Sequence, residues 1–214
     1  MSKHQKKNAQ TKAALVEAFW QLYKTRPISK ITVKDVTDRA GFYRSTLYNY
    51  FEDVYAILEY IETAILQEWE QVVAEGLNPD RQELLIQGRA EDFLPLIAPF
   101  YQKNGETIAI LLSPAGDPLF QQKIKDTLRH KIFSLLQIPE DQPEALLIFE
   151  CCSSAALTAF VKWYTEHIPM TTLGKVMQLI INPELFPAMR AYSTDPEIRS
   201  SSMHKTTIAK SSLQ

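Results

Sequence analysis

The stretch Ile31–Phe51, ITVKDVTDRAGFYRSTLYNYF, decides how the rest of the chain is read. It divides into two short helical patterns on either side of Ala40-Gly41. In the first, Thr32 stands three places before Asp35, the spacing of a capping box in which a hydroxyl and a carboxylate satisfy orphan backbone donors. Val36 and Ala40, four apart, share a helix face. Gly41 falls at the helix stop, where a residue without a Cβ takes a left-handed conformation cheaply. Beyond the turn, Phe42, Leu47 and Phe51 keep an apolar face and leave Arg44, Ser45, Thr46, Tyr48, Asn49 and Tyr50 to cover the others. A plain helical hairpin has no need of that second face. Helix, glycine-bearing turn and helix is the supersecondary signature of DNA-binding modules, whose second helix lies in the major groove.

The rest of the composition is ordinary for a globular chain: 214 residues, 45% apolar, 22% charged and 6 glycines. That length allows one or two domains with a sizeable core. Apolar positions recur at helical spacing almost throughout, so an all-α fold is expected. The net charge of −2 conceals a polarity along the chain. Residues 1–50 hold 10 Lys and Arg against 3 Asp and Glu, a net +7, and the remainder holds 13 against 22, a net −9. A basic end on an acidic body suits a polyanion, because each phosphate it neutralises releases counterions. A solvated basic tail is the bland alternative.

The run A-G-F-Y-R-S-T-L-Y-N-Y-F, preceded by I-T-V-K-D-V, resembles the DNA-binding domain of the TetR family of bacterial transcriptional regulators. The likeness covers about residues 10–60 and places Gly41, Thr46, Tyr48 and Phe51 in register. It departs from the family at two positions: Tyr43 stands where a small hydroxyl residue usually opens the second helix, and Val54 where a phosphate-binding lysine usually opens the next. The resemblance implies an N-terminal three-helix helix-turn-helix DNA-binding domain over residues 1–52. A C-terminal helical domain for ligand binding and dimerisation follows over 53–192, and a tail over 193–214 is expected to be disordered.

Along the chain, residues 1–8 read as a basic arm or a solvated tail. A first helix is expected from about Ala9 to Thr25, with Leu15, Ala18, Phe19 and Leu22 facing inward and Pro27 beyond its end. Asp53 suits the N-cap of a fourth helix that ends near Gly76, striped by Ile57, Ile61, Ile65 and Trp69. Further helices are expected around Arg81–Gln87, Glu91–Lys103, Glu106–Leu112 and Pro118–Leu136, with Pro95 and Pro99 as candidate kinks. From Glu144 to Glu166 the chain is apolar nearly all round, and CCSSAALTA at 151–159 is almost all small, so burial on several faces is expected. A homodimer through Ser154, Ala155 and Thr158 of this helix and through Leu173 and Met177 of the next, about Thr172–Asn182, follows. The longest apolar run, Leu146–Val161, falls short of the roughly 20 residues of a membrane span. No secretory signal opens the chain, and two adjacent thiols, Cys151 and Cys152, make no disulfide framework, so a cytoplasmic setting is expected.

Arg44 is the first candidate to read a base, since a guanidinium matches the O6 and N7 acceptors of guanine. Asn49 suits adenine or plain exposure, and Tyr43 a thymine methyl or the shielding of the turn. By the resemblance, Thr46, Tyr48 and Tyr50 occupy phosphate-binding positions and Lys34 one that reaches a phosphate or base edge. Thr32 and Ser45 complete the set. The aromatics Trp69, Phe93, Phe100, Tyr101, Phe120 and Phe149 are candidates for an effector cavity or, as often at helical spacing, simply core. His4, His130, His167 and His204 are scattered, with no metal-ligand spacing, and no nucleophile elbow or phosphate loop is present, so neither an enzyme nor a cofactor is expected. The expectation is a ligand-responsive regulator, most simply a repressor gripping a near-palindromic double-stranded operator as a homodimer. An activator of the same fold governed by a protein partner is the alternative.

Overall fold

The computed structural model describes residues 3–78, 94–113, 116–180, 189 and 191–200. Among them every regular element is helical, and the chain divides into two compact units, the first holding residues 1–67 and the second beginning at Glu68.

In the first unit, α1 (Lys3–Tyr23) turns Leu15, Ala18, Phe19, Trp20 and Tyr23 inward, with the Phe19 and Tyr23 rings stacked at 5.6 Å. Residues expected to form a basic arm are helical from Lys3 onward. The side chains of Gln5–Gln10 stay exposed, so this extension rests on good helix formers rather than on burial. A 3-10 turn at Ile28–Lys30 follows Pro27. It leads into α2 (Val33–Ala40), α3 (Arg44–Tyr48) and α4 (Val54–Gly76). Helix α2 packs on α1 and α3 on α2, closing a core of Leu15, Phe19, Val36, Leu47 and Ile57. Lys12 lays its ammonium 3.7 Å from the Tyr60 ring centroid and 5.3 Å from that of Phe51, a cation–π contact joining α1 to α4. Asp53 caps α4 as expected, its carboxylate accepting from the Ala56 N–H at 2.9 Å.

The second unit takes the later turns of α4 together with α5 (Leu94–Leu111), α6 (Pro118–Leu135), α7 (Pro143–Thr165), α8 (Met170–Ile180) and the short α9 (Pro196–Ser200). Pro118 and Pro143 open their helices at the first turn, where the missing N–H costs nothing. Helix α7 packs against α5, α6 and α8. Trp69 donates its indole N–H to the Ile124 carbonyl at 3.2 Å. Glu68 accepts from Lys103 at 2.7 Å and from Asn104 at 2.9 Å. The Lys103 bond chiefly holds the Glu68 carboxyl below its ordinary range.

Three sequence expectations change here. The break at Asn104-Gly105 does not occur, and α5 is continuous. Asn104 is spent on Glu68, and a Cβ at Gly105 would overlap the Tyr164 ring of α7, so the pair serves close packing rather than a turn. The helix expected at Arg81–Gln87 lies outside the described residues. Residues 193–200, expected in a disordered tail, take a defined structure: Ser193 is buried, Thr194 bonds the Gln137 carbonyl through both its N–H (2.9 Å) and its hydroxyl (3.0 Å), and Asp195 caps α9. Residues 201–214 lie outside the described residues. Helix α7, longer than the run Leu146–Val161, is long and apolar enough to cross a membrane by length and composition. Its face of Ala145, Phe149, Ser153, Leu157 and Phe160 is nonetheless buried in the unit's core, and Glu150 pairs with the buried Lys125 of α6.

Candidate nucleic-acid interface

Which way α3 faces is set by one residue. Leu47 is 0% exposed, and with about 100° between successive helix positions its burial turns Arg44, Ser45, Tyr48 and Asn49 to solvent. Tyr48 is 58% exposed and Tyr43, just before the helix, 84%. Thr46 and Tyr50 flank the anchor and are half-buried. No ion pair or hydrogen bond of the Arg44 guanidinium is found among the described residues. A cation that is exposed and uncommitted gives up little on meeting an anion.

The preceding turn holds α3 in that attitude. Thr32 Oγ1 accepts from the Asp35 N–H at 3.2 Å and donates to the Asp35 carboxylate at 2.7 Å, while the Thr32 N–H donates to the same carboxylate at 2.8 Å, completing the capping box. The Thr32 bonds, with Arg26 3.5 Å away, hold the Asp35 carboxyl below its ordinary value. Thr32 is thus exposed, but its hydroxyl is already committed. At the other end Gly41 takes φ +73°, and the Thr37 carbonyl accepts from both Gly41 and Phe42. Thr37, which sequence reasoning passed over, is buried and spends its hydroxyl on the Val33 and Lys34 carbonyls. Tyr43 occupies the N-cap of α3 without a side-chain bond, so the helix start relies on the Tyr43 carbonyl accepting from Thr46 at 2.9 Å. Lys34 is exposed beside Asp38 at 3.3 Å, a surface pair worth at most about 1 kcal/mol. Val54 is buried, while Tyr55 next to it stands exposed in the first turn of α4, a second residue the sequence did not single out.

The second unit holds a half-open cavity of about 150 Å³. Of the aromatic candidates, Trp69, Tyr101 and Phe149 line it. Phe100 and Phe120 are buried without lining it, Phe100 lying 5.5 Å from the Trp69 ring and 5.3 Å from that of Tyr101. Phe93 lies outside the described residues. The walls also include Leu128 of α6, Leu157 and Phe160 of α7 and Met177 of α8, none marked by a motif. Cys151 is exposed and Cys152 half-buried at the cavity wall, where burial and its neighbour raise the Cys152 thiol pKa. A thiol so placed is a poor nucleophile.

No family model and no curated protein sequence matches the chain. Among solved structures, a TetR-family transcriptional regulator from Streptomyces coelicolor superposes with a TM-score of 0.55 at 18% identity, over 94% of this chain and 89% of that one. The chain has the fold of a TetR-family regulator. The dihydroxyacetone kinase operon activator DhaS aligns at a TM-score of 0.42 and 19% identity, over 86% of this chain and 98% of that one.

Within this TetR-like fold, the residues assigned to a dimer contact separate into two groups. Leu173 and Met177 are buried inside the subunit, because α8 packs its stripe against α7 of the same chain. They are removed from the candidate interface. Ser154 is half-buried, while Ala155 and Thr158 are exposed and lie on one face of α7 with Leu147, itself 67% exposed, and Cys151. The exposed large apolar residues of α8 are Val176 and Leu179, the latter 79% exposed.

Proposed function

We propose that this chain is a DNA-binding transcriptional regulator that acts as a homodimer, with α3 in the major groove and the cavity of the second unit holding a small effector. The observation that carries this reading is the surface of α3. Tyr43, Arg44, Ser45, Tyr48 and Asn49 face solvent around the single anchor Leu47, at the basic end of the chain. Arg44 suits the O6 and N7 of guanine, and Asn49 an adenine edge. Thr46, Tyr48, Tyr50 and Lys34 suit phosphates, which fix register rather than sequence. Residues 1–52 form the DNA-binding domain in this scheme and 53–192 the effector domain.

The exposed apolar faces of α7 and α8 favour a two-fold dimer, which sets two copies of α3 about 34–36 Å apart on a near-palindromic operator. Helix α4 contributes Trp69, Val72 and Val73 to the cavity wall, and its first turns belong to the DNA-binding unit. An effector that prefers one position of α4 over another shifts the population off DNA by no more than that preference. Repression relieved by a ligand follows, and the cavity favours a small molecule over a protein partner as the signal. Unpaired thiols suit a reducing, cytoplasmic setting.

Gel-shift analysis of the full chain against genomic fragments tests the reading. Selective retention of a few fragments, weakening steeply with salt, is the expected result. Absence of any retention at low salt would refute it.

A further inference from the structure

The cavity of the second unit is almost without polarity, and apart from the weakly polar Cys152 thiol each polar side chain at its wall but one is already spent. The Trp69 indole N–H is taken by the Ile124 carbonyl. Lys125, buried at the wall, is neutralised by Glu150 and lies 3.5 Å from the Ser154 hydroxyl. Ser153 turns its hydroxyl to the Glu150 carbonyl at 3.4 Å. The remainder is hydrocarbon, chiefly Leu, Ile, Val, Phe and Met.

Tyr101 is the exception. It is 3% exposed and lines the cavity, its ring stacked on Phe160 at 4.0 Å and nearly parallel. No hydrogen bond from its hydroxyl is found among the described residues. Burial pushes the phenol far above its ordinary pKa, so the group stays a neutral donor at every physiological pH. A ligand that covers this hydroxyl must supply a hydrogen-bond partner or leave the donor unsatisfied.

Size and charge narrow the ligand further. An apolar cavity of this volume has room for a molecule about the size of benzene. A charged group entering it would lose its hydration with no free counter-charge waiting, since Lys125 and Glu150 already neutralise one another. Resting on the effector-cavity reading above, we propose that the ligand is a neutral, hydrocarbon-rich molecule about the size of a substituted benzene, bearing one hydrogen-bonding group that meets the Tyr101 hydroxyl.

Four probes that share one ring test this by calorimetric titration of the full chain at neutral pH: 4-ethylbenzyl alcohol, 4-ethyltoluene, 4-ethylbenzoate and 4-ethylbenzylamine. The alcohol is expected to bind most tightly, by about tenfold or more over either ion. Tyr101→Phe should weaken the alcohol about threefold to tenfold and leave 4-ethyltoluene unchanged. Leu157→Trp, which fills the cavity, should abolish binding of both neutral probes, with circular dichroism showing the helices retained. If that variant fails to fold, the Tyr101→Phe comparison still decides. Tightest binding by the benzoate or the amine would overturn the proposal, as would an alcohol affinity indifferent to Tyr101→Phe, or no binding by any probe. The titration uses no DNA. A chain that takes the alcohol but retains no genomic fragment sinks the regulator and keeps the ligand class; one that retains DNA but prefers an ion does the reverse.

Discussion

The face of α3 and the cavity of the second unit are built in opposite ways. Most of what orients α3 lies between Thr32 and Phe51: one capping box, one left-handed glycine, one buried leucine and the carbonyl of Thr37. The cavity draws its walls from α4, α5, α6, α7, α8 and Met189, segments far apart in sequence. A recognition surface held by a few local contacts allows its outward residues to change without disturbing the fold. A cavity that is part of the core does not, because each wall residue also packs against something else.

That contrast is broken most directly at Leu47, the one place where the recognition surface depends on the core. Leu47→Ala is expected to cost about 2–5 kcal/mol of stability and to abolish operator retention. Binding of the neutral aromatic probe to the second unit should survive at a temperature where the first unit is disordered. Urea denaturation followed at Trp20 and at Trp69 in single-tryptophan backgrounds would show whether the two signals part company. Coincident loss of both would mean that the units melt as one, and that the local anchor governs the whole chain.

The same contrast explains what was legible in the sequence. Thr32, Asp35, Gly41 and Asp53 make their cap bonds with partners at most four residues away, so spacing alone located the caps, and the structure keeps them. The outward set of α3 followed from Leu47 by helical geometry. Helical periodicity marks a residue as buried without saying what it is buried against. It therefore selected Trp69, Tyr101 and Phe149 together with Phe100 and Phe120, though only the first three meet the cavity. Leu173 and Met177 failed for the same reason: their stripe is apolar because α7 of the same chain covers it. The gap expected between the helices Glu91–Lys103 and Glu106–Leu112 closes through partners of Asn104 and Gly105, Glu68 and Tyr164, that lie 36 and more residues away.

Within the recognition surface, the sharper distinction is between reading and gripping. Arg44→Ala should lower affinity for the preferred operator about tenfold to hundredfold, the equivalent of about 1–3 kcal/mol for a bidentate contact, with little change on unrelated DNA. Lys34→Ala, which also frees Asp38, should weaken all sequences alike and reduce the salt slope by about one. Competition gel shifts across a salt series separate the two, and an Arg44→Ala variant with intact preference would remove Arg44 from base reading.

Two glycines extend the comparison to the backbone. Gly41 has open space where a Cβ would go but stands at φ +73°, so Gly41→Ala should cost about 1–2 kcal/mol through conformation alone. Gly105 stands in ordinary helix but faces the Tyr164 ring. In a Tyr164→Ala background, Gly105→Ala should gain about 1 kcal/mol from helix propensity, and with Tyr164 present it should gain less or lose. Thermal unfolding of the four variants measures both. Equal effects in the two backgrounds would show that the ring moves aside without cost.

The smallest effect lies in the capping box and shows in acid. Bonds from Thr32, and then the nearby Arg26, hold the Asp35 carboxyl below its ordinary value, so the folded state binds its proton less readily than the unfolded chain does. The resulting stabilisation is complete above the unfolded value of about 3.9 and is lost as pH falls through the lower folded value. Urea midpoints of the wild type and Asp35→Asn, compared from neutral pH into that acid range, should therefore converge as the carboxylate protonates. Asp35 is a surface group, so the convergence should be a fraction of the whole acid response. Thr32→Ala should flatten the same limb, since the threonine hydroxyl and N–H are the main cause of the shift. A gap between wild type and Asp35→Asn that stays constant down to the acid limit would show that the carboxylate contributes nothing to α2 beyond what the neutral amide supplies.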